Sequence, residues 1–96
     1  MAHGVIAPQF WDDSRLRGLS IGARLVAAFL LTGQPSLSVP GLVHAGPATL
    51  AELAGIDVKG VTSALGELSA VHFLEIDDAA RLIRIPNAPK YNQPRN

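Results

Sequence analysis

The chain has no cysteine. That excludes a disulfide framework, a thiolate zinc site and a cysteine nucleophile. Aromatic residues are scarce, one Trp, one Tyr and three Phe among 96 residues, so the core is expected to be aliphatic, built from Leu, Ile, Val and Ala. No charge excess exists either: eight Lys plus Arg stand against eight Asp plus Glu. Strong non-specific affinity for nucleic acid rests on neutralising phosphates and is not expected from that balance. The longest apolar run, Leu25 to Leu31, falls far short of the roughly 18 residues a membrane span needs. The start, "MAHGVIAPQF", has no basic region leading into an apolar one, so no secretory signal is read. A cytoplasmic protein is the expectation.

Catalytic patterns are missing too. His3, His44 and His72 are far apart and share no metal-ligand spacing. Asp12–Asp13 and Asp77–Asp78 are chain neighbours, whose side chains diverge on a helix or strand. They suit a cap and a turn better than an acid–base pair. Gly55, Gly60 and Gly66 match neither nucleotide-binding glycine pattern. No enzyme, metal or cofactor is expected.

What is present is 48% hydrophobic residues, enough for one domain in a chain that buries about 60–65% of its unfolded surface. "FWDDSRLRGLS" reads as a short helix capped by Asp12 or Asp13 and closed by Gly18. Ser20 is placed to cap a long helix. Ile21, Leu25, Ala28, Phe29 and Thr32 recur there at helical spacing, Val26, Leu30 and Leu31 widen the apolar face, and Gly33 stops it. The segment 34–40 reads as a loop and "GLVHA", 41–45, as a short strand. Pro47 suits the first turn of a helix carrying Leu50, Leu53 and Ala54, and Gly55 its left-handed end. Asp57 then caps a helix whose inward stripe is Val58, Val61, Leu65 and Leu68. "FLEIDDAARLIRI" alternates on both sides of a polar turn, as a β-hairpin does. Pro86 and Pro89 end it.

This order of elements predicts an α+β fold, mostly α: a winged helix-turn-helix with a C-terminal β-hairpin wing. Residues 1–96 form one such domain, with 1–11 as an N-terminal arm and 86–96 as an extended C-terminal tail. The helix after Asp57 offers a slim, hydrogen-bonding flank of Lys59, Thr62, Ser63 and Gly66, the kind of surface that enters a major groove. Lys59, Thr62 and Ser63 are expected near bases. Arg81 and Arg84 on the wing, with Lys90 and Arg95 beyond it, are expected at phosphates or a minor groove. Glu67 at the edge of that flank would face the DNA backbone, and Asp77 and Asp78 put negative charge at the wing tip. Both weaken a lone domain. A homodimer or larger assembly on double-stranded DNA would recover affinity through effective concentration. The alternative is a winged-helix protein–protein interaction module without direct DNA binding, favoured by the zero net charge. Arg15, Arg17 and Arg24 read as solubilising charges, and Trp11 and Tyr91 as packing residues at the domain ends or contacts to a second subunit.

Taken together, "LSIGARLVAAFLLTGQPS" and "PATLAELAGIDVKGVTSALGELSAVHFLEIDDAARLIRIPNAPKYNQP" resemble the N-terminal winged-helix domain of phage and prophage replication proteins and related phage DNA-binding regulators. The shared features are a leucine-rich helix ending in "LLT", a helix with "LAE", a helix with "V..AL.EL", a hairpin with a polar turn and a closing "I.N..KYN.P". The resemblance covers roughly Leu19 to Pro94. It implies duplex DNA binding in transcriptional regulation or replication-origin recognition, with Val58–Ser69 as the recognition helix and Asp77–Ala80 as the wing tip. "VHF" stands where such domains often carry a glycine before the hairpin.

Overall fold

The computed structural model describes residues 8–32 and 42–86. Most of the arm (1–7, including His3), Gly33, the loop 34–40, Gly41, and the tail 87–96 with Lys90, Tyr91 and Arg95 lie outside the described residues.

Two short helices come first, α1 (Gln9–Asp12) and α2 (Ser14–Arg17). Asp13 separates them and caps α2 by accepting the Arg15 N–H at 2.8 Å. α3 (Ile21–Thr32) begins after Ser20, whose Oγ accepts the Ala23 N–H at 3.1 Å. After β1 (Leu42–His44) comes α4 (Pro47–Ala54), with Pro47 in its first turn, where the missing N–H costs nothing. Gly55 ends α4 at φ 76°, a conformation a side chain would resist. Asp57 starts α5 (Val58–Ala70) by accepting the Gly60 N–H at 2.7 Å. β2 (Glu75–Asp77) and β3 (Leu82–Arg84) form the hairpin. β3 also pairs antiparallel with β1, so the sheet order is β1-β3-β2. Leu42 and Glu75 both face Arg84, and Val43 and Ile76 both face Ile83.

The result is a small α+β fold: α3 and α4 pack on α5, and the three-stranded sheet closes the remaining side. Val26, Leu30, Leu50, Val61, Leu68 and Ile83 are buried at its centre. Among the described residues, no helix is long and apolar enough to cross a membrane.

Several expectations need correction. The core is not purely aliphatic: Phe10 and Phe73 are fully buried and meet edge to face, with ring centroids 6.2 Å apart. The inward face of α3 is Ala23, Val26, Ala27, Leu30 and Leu31, while Ile21 and Leu25 are 80% and 52% exposed. α3 is apolar nearly all round, so helical period does not select which side turns in. Val58 and Leu53 are also exposed, and Ala64 joins Val61, Leu65 and Leu68 in the stripe of α5. Trp11, read as a packing residue or a subunit contact, does meet Phe10 edge to face while remaining largely exposed. Arg15 does more than confer solubility. It donates to the His72 carbonyl at 3.0 Å, pairs with Asp13 at 2.9 Å and lies over the Phe73 ring.

The end of α5 explains how "VHF" manages without glycine. The Phe73 N–H donates to the Leu68 carbonyl and the His72 N–H to the Ser69 carbonyl, both at 3.0 Å. This is the paired closure that puts the intervening residue in the left-handed region, and His72 sits there at φ 61°. An L side chain pays about 1–2 kcal/mol for that conformation, partly offset by the greater unfolded freedom of glycine. His72→Gly is therefore expected to stabilise by about 1 kcal/mol, raising Tm by about 4–8 °C. Thermal unfolding checks this, and a lower Tm would mean the exposed imidazole contributes more than its backbone strain costs.

Candidate nucleic-acid interface

α5 divides cleanly. Val61, Ala64, Leu65 and Leu68 are buried, while Lys59, Thr62, Ser63 and Gly66 are all exposed. The outward flank carries one long side chain, Lys59, in its first turn. Everything further along it is serine-sized, threonine-sized or glycine, so the backbone of α5 can approach a surface closely. Lys59, Thr62 and Ser63 are thus brought together as the sequence predicts.

Beside this flank runs an open groove of about 790 Å³ between α5 and the hairpin. Thr62, Leu65 and Gly66 line it from the helix, and Ile76, Asp77 and Arg81 from the hairpin. Asp77 is held in the turn by accepting the Ala80 N–H at 3.1 Å. Arg81 leaves that turn in the left-handed conformation, φ 55°, and its guanidinium packs against Gly46, the residue preceding α4. His44, Thr49 and Arg81 border a smaller depression of about 250 Å³ at the same place. α4 has no side-chain cap there, so its first-turn N–H groups join a guanidinium in favouring negative charge. His44, named in the sequence only as one of three scattered histidines, and Thr49 come to the Arg81 turn through the fold. No local signal marks them, because only the pairing of β1 with β3, His44 opposite Leu82, carries His44 to the Arg81 turn.

Arg84 is placed differently. Its Nη2 and Nε donate to Glu75 Oε1 at 2.8 and 3.1 Å across the strands. Ile83 points into the core, and neighbours on a strand alternate between faces. Arg84 therefore lies on the sheet face away from the core, partnered by Glu75, and does not join Lys59 and Thr62. Lys90 and Arg95 lie outside the described residues.

Glu67 does not project toward the outer flank. Its Oε1 accepts the Ser20 N–H at 3.0 Å and its Oε2 the Ser20 hydroxyl at 2.7 Å. Glu67 is thus directed to the start of α3 and keeps its negative charge there. The Ser20 backbone N–H first, and its hydroxyl second, hold the Glu67 carboxyl below the ordinary value of 4.5. A pKa lower in the folded than in the unfolded chain stabilises fully above the unfolded value and is lost as pH falls through the folded one. Glu67→Gln is expected to lower Tm at neutral pH and to flatten the decline of Tm below about pH 4.5. Parallel acid curves for the two proteins would exclude Glu67 as the titrating group.

Among the described residues, no cluster of three His, Asp or Glu is grouped to hold a metal ion. Comparison with protein-family models, curated proteins and solved structures gives no match for this chain.

Proposed function

We propose that this chain is a winged helix-turn-helix domain that binds double-stranded DNA in a phage or mobile-element setting, in transcriptional regulation or replication-origin recognition. In this reading α4 and α5 are the helix-turn-helix, α5 is the recognition helix, and β2–β3 is the wing. The element order, the β1-β3-β2 sheet and the family resemblance in sequence support it. The observation that carries it is the flank of α5: a lean, hydrogen-bonding surface with Lys59 in its first turn and Arg81 across the adjoining groove. Thr62 and Ser63 would meet base edges, Lys59 bases or phosphate, and Arg81 with the start of α4 a backbone phosphate. The domain performs no chemistry of its own.

Selection of bound fragments from random duplex DNA tests the proposal. A defined sequence should be enriched, and its binding should weaken with salt with a logarithmic slope of about −2 per chain, as two phosphate contacts require. No enrichment, or retention indifferent to salt, would reject it. A second reading, a protein-docking module, is favoured by the apolar floor of the groove, Leu65 and Ile76, beside Asp77 and Asp78. A partner that stays bound through nuclease and high salt would support that reading instead.

A further inference from the structure

α3 is apolar on two faces, and among the described residues only the inner one is fully covered, Ala28 and Phe29 at the margins of the outer face being partly packed on the core. Its inner face packs on α5. Opposite lie Ile21, 80% exposed, Leu25, 52% exposed, the exposed Gly22, and the partly buried Ala28 and Phe29. No charged residue interrupts this stripe. A solvent-facing helix ordinarily carries polar groups there, and a helix apolar all round is ordinarily covered on both sides.

The stripe has a symmetry of its own. Leu25 is at its middle. Ile21 lies four positions before it and Phe29 four after; Gly22 lies three before and Ala28 three after. A second copy of α3 laid antiparallel, with a two-fold axis through Leu25, sets each Leu25 against its counterpart. It sets Ile21 against Phe29 of the other copy and Gly22 against Ala28, large with large and small with small. An isologous contact requires such self-complementarity. With zero net charge, no overall repulsion opposes the approach of two copies.

We propose that the outer face of α3 is the contact between two copies of this chain, centred on Leu25. A large side chain carries on the order of 200 Å², so Ile21 and Leu25 together leave about 250 Å² of apolar surface to cover. A specific dimer removes about 800 Å² per partner. The stripe is thus the dry centre of an interface whose rim is more polar. Affinity is expected to be modest, with a dissociation constant on the order of 1–100 μM. This gives the assembly expected on DNA a defined surface, but it rests on α3 and not on DNA contact.

Sedimentation of the full chain without DNA tests it, and so keeps its failure apart from failure of DNA binding. Wild type should move from 10.1 kDa to twice that mass as concentration rises. Leu25→Glu, facing its own copy, should weaken association on the order of 100-fold or more, with the protein still folded because Leu25 is half exposed. The chain has no native thiol, so Leu25→Cys supplies a direct probe. Under mild oxidation it should form a disulfide-linked dimer, and Leu53→Cys, on α4, should not. A wild type that stays monomeric to several hundred micromolar overturns the proposal. So does dimerisation that survives Leu25→Glu, or cross-linking at Leu53→Cys equal to that at Leu25→Cys.

Discussion

Phe73→Ala is expected to lower the unfolding free energy by about 3–5 kcal/mol and Tm by about 15–30 °C. Phe73 is 1% exposed. Its ring meets Phe10 on one side and the Arg15 guanidinium on another. Its own N–H closes α5 by bonding Leu68. Truncation therefore opens a cavity where α1, α2, α5 and the hairpin join, and the surrounding backbone cannot fully collapse into it. A domain of this size has only about 5–14 kcal/mol to lose, so the variant should be partly unfolded near body temperature. Trp11→Ala is the comparison. Trp11 is 57% exposed, and losing its edge contact with Phe10 should cost about 0.5–1.5 kcal/mol. Equal losses in the two variants, measured by thermal or denaturant unfolding, would mean that the Phe10–Phe73 contact does not anchor this end of the fold.

The second large effect concerns binding. On the proposed DNA-binding role, Lys59→Glu and Arg81→Glu are each expected to weaken duplex binding on the order of 100-fold at physiological salt, because each would replace a cation facing DNA with a repelling carboxylate. Neither should unfold the protein, since both side chains are exposed. For Lys59 the sign is favourable: a carboxylate in the first turn of α5 complements the helix dipole, where the ammonium opposed it. Lost binding in Lys59→Glu would therefore not come from lost stability. Arg84→Glu should matter less, because Arg84 is partnered by Glu75 on the sheet face away from the core. Titration of a labelled duplex with the three variants separates the faces. Loss confined to Arg84→Glu would move the interface to the outer side of the sheet and leave the α5 flank without a role.

Much of this architecture was legible because its determinants are local. Pro47, Gly55 and Asp57 each act within one turn of their own position, so the corner between α4 and α5 could be read residue by residue. The polar "DDAA" between two alternating runs marked the hairpin for the same reason. The inner face of α3 was not legible. Apart from Arg24 and Thr32, the residues of α3 are apolar, and only the position of α5 decides that Val26 turns in and Leu25 out. The partners of charged groups were equally hidden. Glu67 finds Ser20 from 47 positions away, and Arg15 reaches His72 from 57. Lys59, Thr62 and Ser63 were found correctly as exposed residues because amphipathic period settles exposure on a helix with one apolar side. The same reasoning could not separate Arg81 from Arg84, since strand register and a left-handed turn residue send them to different places.

The seat of Arg81 against Gly46 makes position 46 a silent lever on the hairpin turn. A single methyl added there, at a backbone geometry that alanine accepts, would occupy the space the guanidinium now fills. The arginine tip would swing clear of α4 with no change in formal charge, strand register or core. A cation can thus be repositioned by the residue it rests on, and natural variation at a neighbouring glycine would move the Arg81 guanidinium without replacing Arg81 itself.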